Sequence, residues 1–429
     1  MAILNSHKKP SLSRGITLFY LSVIVGVGAG FLGMSLALLL HWIQHTAYGY
    51  SLDRIISNIS FYEGVSLASP ERRFFCLFLC GLIAGLGWYW LYRYGKPLVS
   101  IKEALSGIKK MPFLSTVIHA LLQISTIALG SPLGREVAPR ELGAVWAAWL
   151  TEKVALSAEE TKIMIACGAG AGLAAVYNVP LGGALFTLEV LLATYRWSVL
   201  VPALMTSAIA TLVSWTGLGI ESVYQVPELH LNASIILWSI CTGPVFGYSA
   251  FWFMRIANQQ RQNAVHDKKI IWKTLLNFCF IGLLALYFPV ILGNGKSLVQ
   301  MEFTNTASIV LSALLLFLHY IITWTSLLSG AQGGLLTPSL ANGALLAGVL
   351  GGLWNLFWPT IPFAGYVVIG GAAFLAAAQK MPLTAIVLIF EFTHIHFDFL
   401  VPMMIAVSEA LIVYVFCAEH FKKYPLCSA

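Results

Sequence analysis

Gly134-Arg135-Glu136-Val137-Ala138-Pro139 sets an arginine and a glutamate inside very apolar sequence. Met111–Gly134 contains no Asp, Glu, Lys or Arg, and the stretch that follows is nearly as apolar. An ionisable side chain at membrane depth costs about 2.5–3.5 kcal/mol on insertion scales, so a chain that keeps one there uses it to line a path or meet a partner. Pro132, Pro139 and several glycines surround the pair and would interrupt a continuous helix. An interrupted helix presents unpaired N–H groups and a fractional positive charge, a setting that suits an anion. The plainer alternative is a structural Arg135–Glu136 pair at a helix start.

The elements that must position this pair are set by composition. Hydrophobic residues make up 58% of the chain and charged residues 10%, with a mean hydropathy of +0.81. Soluble domains carry about 25% charged residues. Runs free of Asp, Glu, Lys and Arg recur at Phe74–Tyr92, Ile163–Leu188, Trp197–Ile220, Leu229–Met254, Thr274–Gly295 and Phe303–Gln379. About 20 apolar residues span a bilayer, so the chain reads as an all-α, polytopic membrane protein. The first apolar run, Ile16–Gln44, is too long for the core of a cleavable signal peptide.

The net charge of +7 is spread over short segments. Lys8, Lys9 and Arg14 precede the first span, which predicts a cytoplasmic N-terminus in an inner or plasma membrane. Arg255, Arg261, Lys268, Lys269 and Lys273 form a second cluster. Both clusters read as determinants of orientation rather than as nucleic-acid contacts. The seven cysteines lie mostly in apolar spans and read as packing residues.

The chain repeats itself. Cys167–Ala193 aligns without gaps on Ile369–Ile395: Gly168 meets Gly370, Ala174-Ala175 meets Ala376-Ala377, Pro180-Leu181 meets Pro382-Leu383, and Glu189 meets Glu391. At a slightly shorter spacing, Gly134 and Pro139 meet Gly333 and Pro338. The expected organisation is an N-terminal cytoplasmic segment (1–14), a first membrane half (15–254), a basic connecting loop (255–273) and a second membrane half (274–429). Corresponding Gly/Pro-interrupted segments in two halves point to a transport site between them.

These residues resemble the CLC chloride channels and chloride/proton antiporters. Gly134-Arg135-Glu136-Val137-Ala138-Pro139 resembles that family's GREGP segment, and Gly334-Leu335-Leu336-Thr337-Pro338 its GxFxP segment. Asn178-Val179-Pro180-Leu181-Gly182-Gly183-Ala184-Leu185-Phe186 resembles the segment that opens a helix at the dimer interface. The resemblance implies two inverted halves, about 17 or 18 tilted helices per subunit and a homodimer with a path in each subunit. It makes Glu136 the gating carboxylate, occupying the outer anion site when ionised and carrying a proton when it swings out. Arg135 and the backbone N–H groups of Val137, Leu335 and Leu336 are expected at the anion site.

The chain departs from the family at several places. Lys96 stands where a serine usually contacts the central anion, Cys427 where a tyrosine closes its inner side, and Leu336 where an aromatic residue is usual. Lys96 either lies in or near the path or snorkels to the surface with Arg93, Lys102, Lys109 and Lys110. Val190 stands where exchangers commonly carry a second, inner glutamate. Valine carries no proton, so the expectation leans to channel-like or weakly coupled anion transport. Proton-coupled anion antiport is the alternative, with water or Glu189 substituting. Glu189 reads more simply as a helix-packing carboxylate.

Other classes find less support. An intramembrane enzyme could use Glu136 and His119 as acid and base, but no nucleophile–base pattern accompanies them. His394, His396 and Asp398 lack a third spacing that would complete a metal site. No phosphate-loop, dinucleotide or zinc-protease pattern occurs, so no cofactor is expected.

Overall fold

The computed structural model describes residues 12–57, 59–154, 156–358 and 363–421. The described residues form seventeen α-helices and no strand. In the first part of the chain these are α1 (Leu12–Tyr48), α2 (Phe61–Leu67), α3 (Pro70–Tyr94), α4 (Ile101–Leu105), α5 (Phe113–Ala128), α6 (Val137–Thr151), α7 (Ala158–Tyr177), α8 (Pro180–Phe186), extended by a π-helical turn (Thr187–Leu192), and α9 (Trp197–Leu218). They continue as α10 (Ala233–Gln262), α11 (Lys269–Tyr287), α12 (Lys296–Phe303), α13 (Ile309–Ser329), α14 (Leu336–Asn355), α15 (Phe363–Gln379), α16 (Pro382–Thr393) and α17 (Leu400–His420). Among the described residues, eight helices are long and apolar enough to cross a membrane. Shorter apolar helices, α5, α15 and α16 among them, complete the membrane body.

Local sequence explains the helix starts. Ser60 with Glu63, Ser100 with Glu103 and Ser157 with Glu160 form reciprocal capping boxes at α2, α4 and α7. Pro70, Pro180 and Pro382 occupy the first turns of α3, α8 and α16, where a missing N–H costs nothing. Asn178 ends α7 in the left-handed conformation, and Lys380 follows α15 with φ +55°.

The internal repeat appears as repeated packing. α6 lies on α7 as α14 lies on α15, α1 packs on α9 as α10 packs on α17, and α3 meets α5 as α11 meets α13. The halves meet through α3 against α11 and α8 against α16. Lipid supplies no hydrophobic drive between helices, so close approach of small residues carries the association. Gly143 and Gly168 show this: a Cβ on either would overlap the other's carbonyl, so α6 can sit tightly on α7.

Residues 255–273, expected as a connecting loop, are largely helical. α10 runs to Gln262 and α11 begins at Lys269, leaving only 263–268 between them. The basic residues there extend helix ends rather than interrupt them, because Lys, Arg and Gln are good helix formers.

Candidate anion site

Two interrupted segments meet face to face. Gly134 and Gly334 exchange backbone hydrogen bonds of 2.8 Å in each direction. This isolated antiparallel bridge holds the start of α6, from the first half, beside the start of α14, from the second. Glycine is required on both sides, since a Cβ on Gly134 or Gly334 would overlap the Glu136 carboxylate.

Glu136 immediately precedes α6 and is wholly buried. Its side chain does not cap its own helix. Oε1 accepts from the Leu336 N–H at 2.7 Å, the first N–H of α14. Oε2 faces the Thr337 hydroxyl at 3.3 Å and the Tyr177 hydroxyl at 3.4 Å. Those two hydroxyls bond each other at 2.9 Å. An unpaired buried charge costs several kcal/mol, whereas a hydrogen bond to a charged group returns about 1.5–3 kcal/mol, and the positive end of a helix adds to it. The carboxylate thus sits where the first N–H and the positive end of α14 favour negative charge.

Cations surround this seat. The Arg135 guanidinium lies 4.9 Å over the Tyr177 ring. Arg140 donates from Nε to the Glu136 carbonyl at 2.8 Å and covers the Phe186 ring at 4.9 Å. Arg261, at the end of α10, donates from Nη2 to the Gly333 carbonyl at 3.1 Å. Gln379 Nε2 reaches the Leu335 carbonyl at 3.3 Å and Ser339 Oγ at 3.4 Å.

The structure therefore brings Arg135, Glu136, Val137, Leu335 and Leu336 to one place, with the Leu335 and Leu336 side chains buried. Lys96 is not among them. Its side chain is exposed, and its backbone N–H donates to Ser115 Oγ at 3.0 Å. Val190 lies in the π-helical turn after α8, partly buried against the core. Cys427 lies outside the described residues. His119 accepts from Trp88 Nε1 at 3.1 Å and faces Glu141, so it forms a different cluster from Glu136.

Sequence reading missed Tyr177, Arg140, Arg261 and Gln379. Tyr177 and Gln379 occupy equivalent repeat positions, each shortly before a proline, and that correspondence could have singled them out. Arg140-Glu141, on α6, echoes Arg135-Glu136 just ahead of that helix. Arg261 was grouped with the orienting charges of its segment, and nothing local in the sequence distinguishes it.

Interrupted helices from two repeated halves, meeting at a buried carboxylate among arginines, define a helical membrane protein with charged groups at the meeting of its halves. The family model described as "Voltage gated chloride channel" matches residues 80–414, and the chain belongs to that family. The H(+)/Cl(-) exchange transporter ClcA of Vibrio parahaemolyticus is 27% identical over 423 residues, covering 94% of this chain and 88% of the relative. The voltage-gated ClC-type chloride channel ClcB of Citrobacter koseri is 30% identical over 338 residues, covering 76% and 80%. The crystal structure of a slow cyanobacterial Cl-/H+ antiporter superposes with a TM-score of 0.78 at 19% identity, covering 95% of this chain and 98% of the other. A CLC-type fluoride/proton antiporter gives 0.68 at 20% identity over 95% and 98%. At such identities these two structures establish the shared fold.

Proposed function

We propose that this protein exchanges chloride, or a similar small monovalent anion, for protons across a membrane, with the Glu136 carboxylate as the shared gate. The observation that carries the reading is the Glu136 side chain itself, buried and seated on the first N–H of α14. An ionised Glu136 competes with an anion for that N–H. A protonated Glu136 has no such claim and leaves the seat to the anion, so anion and proton occupancy are linked at one place. Arg135, Arg140 and Arg261 supply a positive surrounding that draws anions. The Val137 and Leu335 N–H groups offer further uncharged donors at the two helix starts, and Cys427 keeps the role its motif position implies.

The exchange name carried by a relative aligned over 94% of this chain supports coupling over the channel-like expectation. The second reading, uncoupled conduction, keeps Val190 and the channel name of the ClcB relative in its favour.

The protein acts as a homodimer in the lipid bilayer of an inner or plasma membrane, on the family resemblance. Its basic side faces the cytoplasm. The Lys110–Glu152 ion pair joins the segment after α4 to the end of α6, and the Tyr92–His266 ring contact brings residues 263–268 to the end of α3. These segments hold Arg93, Lys109, Lys110, Lys153 and Lys268, with Lys102 on the neighbouring α4, and this excess of basic residues supports a cytoplasmic position for them. The repeat divides ahead of α10, which packs on α13, α15 and α17.

The test uses proteoliposomes with an outward chloride gradient and a pH-sensitive dye. Uphill proton movement at a fixed ratio to chloride supports exchange. Chloride flux without proton movement moves the assignment to a channel.

A further inference from the structure

Val190 leaves the exchange reading without an ionisable group where the family usually has one, and Glu189 is fully engaged elsewhere, with hydrogen bonds from Leu383 N, Thr384 N and Thr384 Oγ1. A different carboxylate is placed for the work. Glu141 lies on α6, five residues beyond Glu136. At 1.5 Å rise per residue that is about 7.5 Å further along the helix, around its side and toward the basic face of the protein. Its side chain is 14% exposed, so it is neither sealed in nor open to solvent.

We propose that Glu141 is the inner proton-transfer residue of this exchanger, taking the place of the ionisable group absent at Val190. This inference rests on the proton-coupled reading above.

The surroundings of Glu141 are built of neutral donors. Gln123 Nε2 donates to Oε2 at 3.2 Å. His119 Nε2 faces the same oxygen at 3.8 Å, beyond a direct hydrogen bond. The Trp88 indole can only donate, so the 3.1 Å contact makes His119 Nδ1 an acceptor. A neutral His119 therefore carries its proton on Nε2, pointing at Glu141. It cannot take a second proton without losing Trp88, so it is a positioning residue. The other titratable or charged groups near the carboxylate are Arg140 on its own helix and Tyr92 on α3. α1 and α7 contribute Leu36, Leu40, Ile165 and Ala169 to the apolar cluster that includes Leu142 and Val145. Among the described residues no ion pair shorter than the 3.8 Å approach of His119 holds Glu141, in contrast to the three donors aimed at Glu189.

A route to water and a route to the gate both follow. Tyr92, within electrostatic reach of Glu141, contacts the His266 ring at 5.0 Å between centroids, on the short segment between α10 and α11. Gln123 Oε1 is buried with no partner among the described residues, an acceptor that a water molecule can fill. Leu191 and Leu192, next to Val190, pack on the same apolar cluster as Leu142, the neighbour of Glu141. In the transfer, a proton from cytoplasmic water binds a Glu141 carboxylate oxygen. It then passes through hydrogen-bonded water to a Glu136 oxygen, restoring Glu141 as carboxylate and releasing Glu136 from the Leu336 N–H. Only O–H bonds form and break.

The test compares wild type, Glu141→Gln and Glu141→Asp in proteoliposomes under an outward chloride gradient, reading chloride efflux and proton uptake together. The expected result for Glu141→Gln is a fall in proton uptake of about tenfold or more with chloride efflux within about twofold of wild type, the scale at which a lost proton-transfer group shows. Glu141→Asp, which keeps a carboxylate, retains measurable uptake at the wild-type ratio. A Glu141→Gln protein with an unchanged proton-to-chloride ratio overturns this inference and leaves the exchange reading standing. Parallel loss of both fluxes in Glu141→Gln, with the ratio kept in whatever activity Glu141→Asp shows, assigns Glu141 a structural role and also overturns it. Wild-type vesicles that pass chloride and no protons overturn the exchange reading and this inference together.

Discussion

Glu189 and Glu391 exchange helix caps across the two halves of the protein. Glu189, in the turn after α8, accepts from the Leu383 N–H at 3.0 Å, the Thr384 N–H at 2.7 Å and the Thr384 hydroxyl at 2.6 Å at the start of α16. Glu391, near the end of α16, accepts from the Leu181 and Gly182 N–H groups, each at 2.8 Å, at the start of α8. Glu136 follows the same plan, since it caps α14 of the opposite half. Carboxylates of one repeat thus satisfy helix starts of the other. All three contacts join the halves, and the third, placed among arginines, is the one the proposed function uses as a gate.

The caps predict stability effects without transport effects. Glu189→Ala strips acceptors from two backbone N–H groups and a hydroxyl in an apolar setting. The hydroxyl can turn to another acceptor, so at about 1–3 kcal/mol per unsatisfied N–H the two backbone groups put the loss at about 2–6 kcal/mol. Thermal unfolding in detergent should show a clear drop in Tm for Glu189→Ala and for Glu391→Ala, and a smaller one for Glu189→Gln, which keeps an acceptor. The folded Glu189→Gln protein should keep the wild-type proton-to-chloride ratio. Selective loss of proton uptake in that variant would make Glu189 a relay rather than a cap.

Glu136→Gln should fold and still carry anions. The amide oxygen can accept from the Leu336 N–H, but the side chain no longer changes charge with pH. Anion flux should therefore lose its pH dependence, and coupled proton uptake should vanish, measured as initial rates between mildly acidic and neutral pH. Wild-type pH dependence persisting in this variant removes Glu136 from the gate.

The repeat and the site were largely legible because both depend on residues with few physical substitutes. Glycines at Gly134 and Gly334 leave room for a carboxylate, and prolines mark helix starts, so the broken segments announce themselves in sequence. The equivalence of Glu189 and Glu391 pointed to helix packing, and the reciprocal caps give that reading its geometry. What stayed hidden depends on direction. Arg261 looks like any basic residue at a helix end until the fold turns it to the Gly333 carbonyl. Tyr177 looks like an apolar ring in an Ala/Gly-rich helix until its hydroxyl reaches Thr337. The stretch 255–273 was misjudged because charge density signals a membrane boundary, and a helix can run through such a boundary without ending there.

Tyr177→Phe should loosen the gate. It removes the hydroxyl that faces Glu136 Oε2 and bonds Thr337, while keeping the ring under Arg135. At 3.4 Å the hydrogen bond to the carboxylate is long, and at about 1 kcal/mol its loss should lower the population of the seated form of Glu136 about fivefold relative to the displaced form. Anion flux at neutral pH should rise by up to that factor, with folding intact by Tm. A flux equal to wild type would show that Thr337 and the Leu336 N–H hold the carboxylate unaided.

Lys96 separates two readings by magnitude. A unit charge about 4 Å from a bound anion is worth about 4 kcal/mol at an effective dielectric of 20, nearly a thousandfold in affinity. The same charge in water contributes about 1 kcal/mol at that distance, and salt reduces it further. The Lys96 side chain is exposed, like that of Lys102, which supports the surface reading. Lys96→Ser and Lys102→Ser should each change apparent anion affinity by less than about fivefold, with maximal flux unchanged, in liposomes titrated with chloride. Lys96 then belongs to the basic surface, and its ammonium does not stand in at the anion site for the serine hydroxyl usual at its position. A loss of about a hundredfold in Lys96→Ser, with Lys102→Ser near wild type, would instead require the ammonium to reach the anion path during the transport cycle.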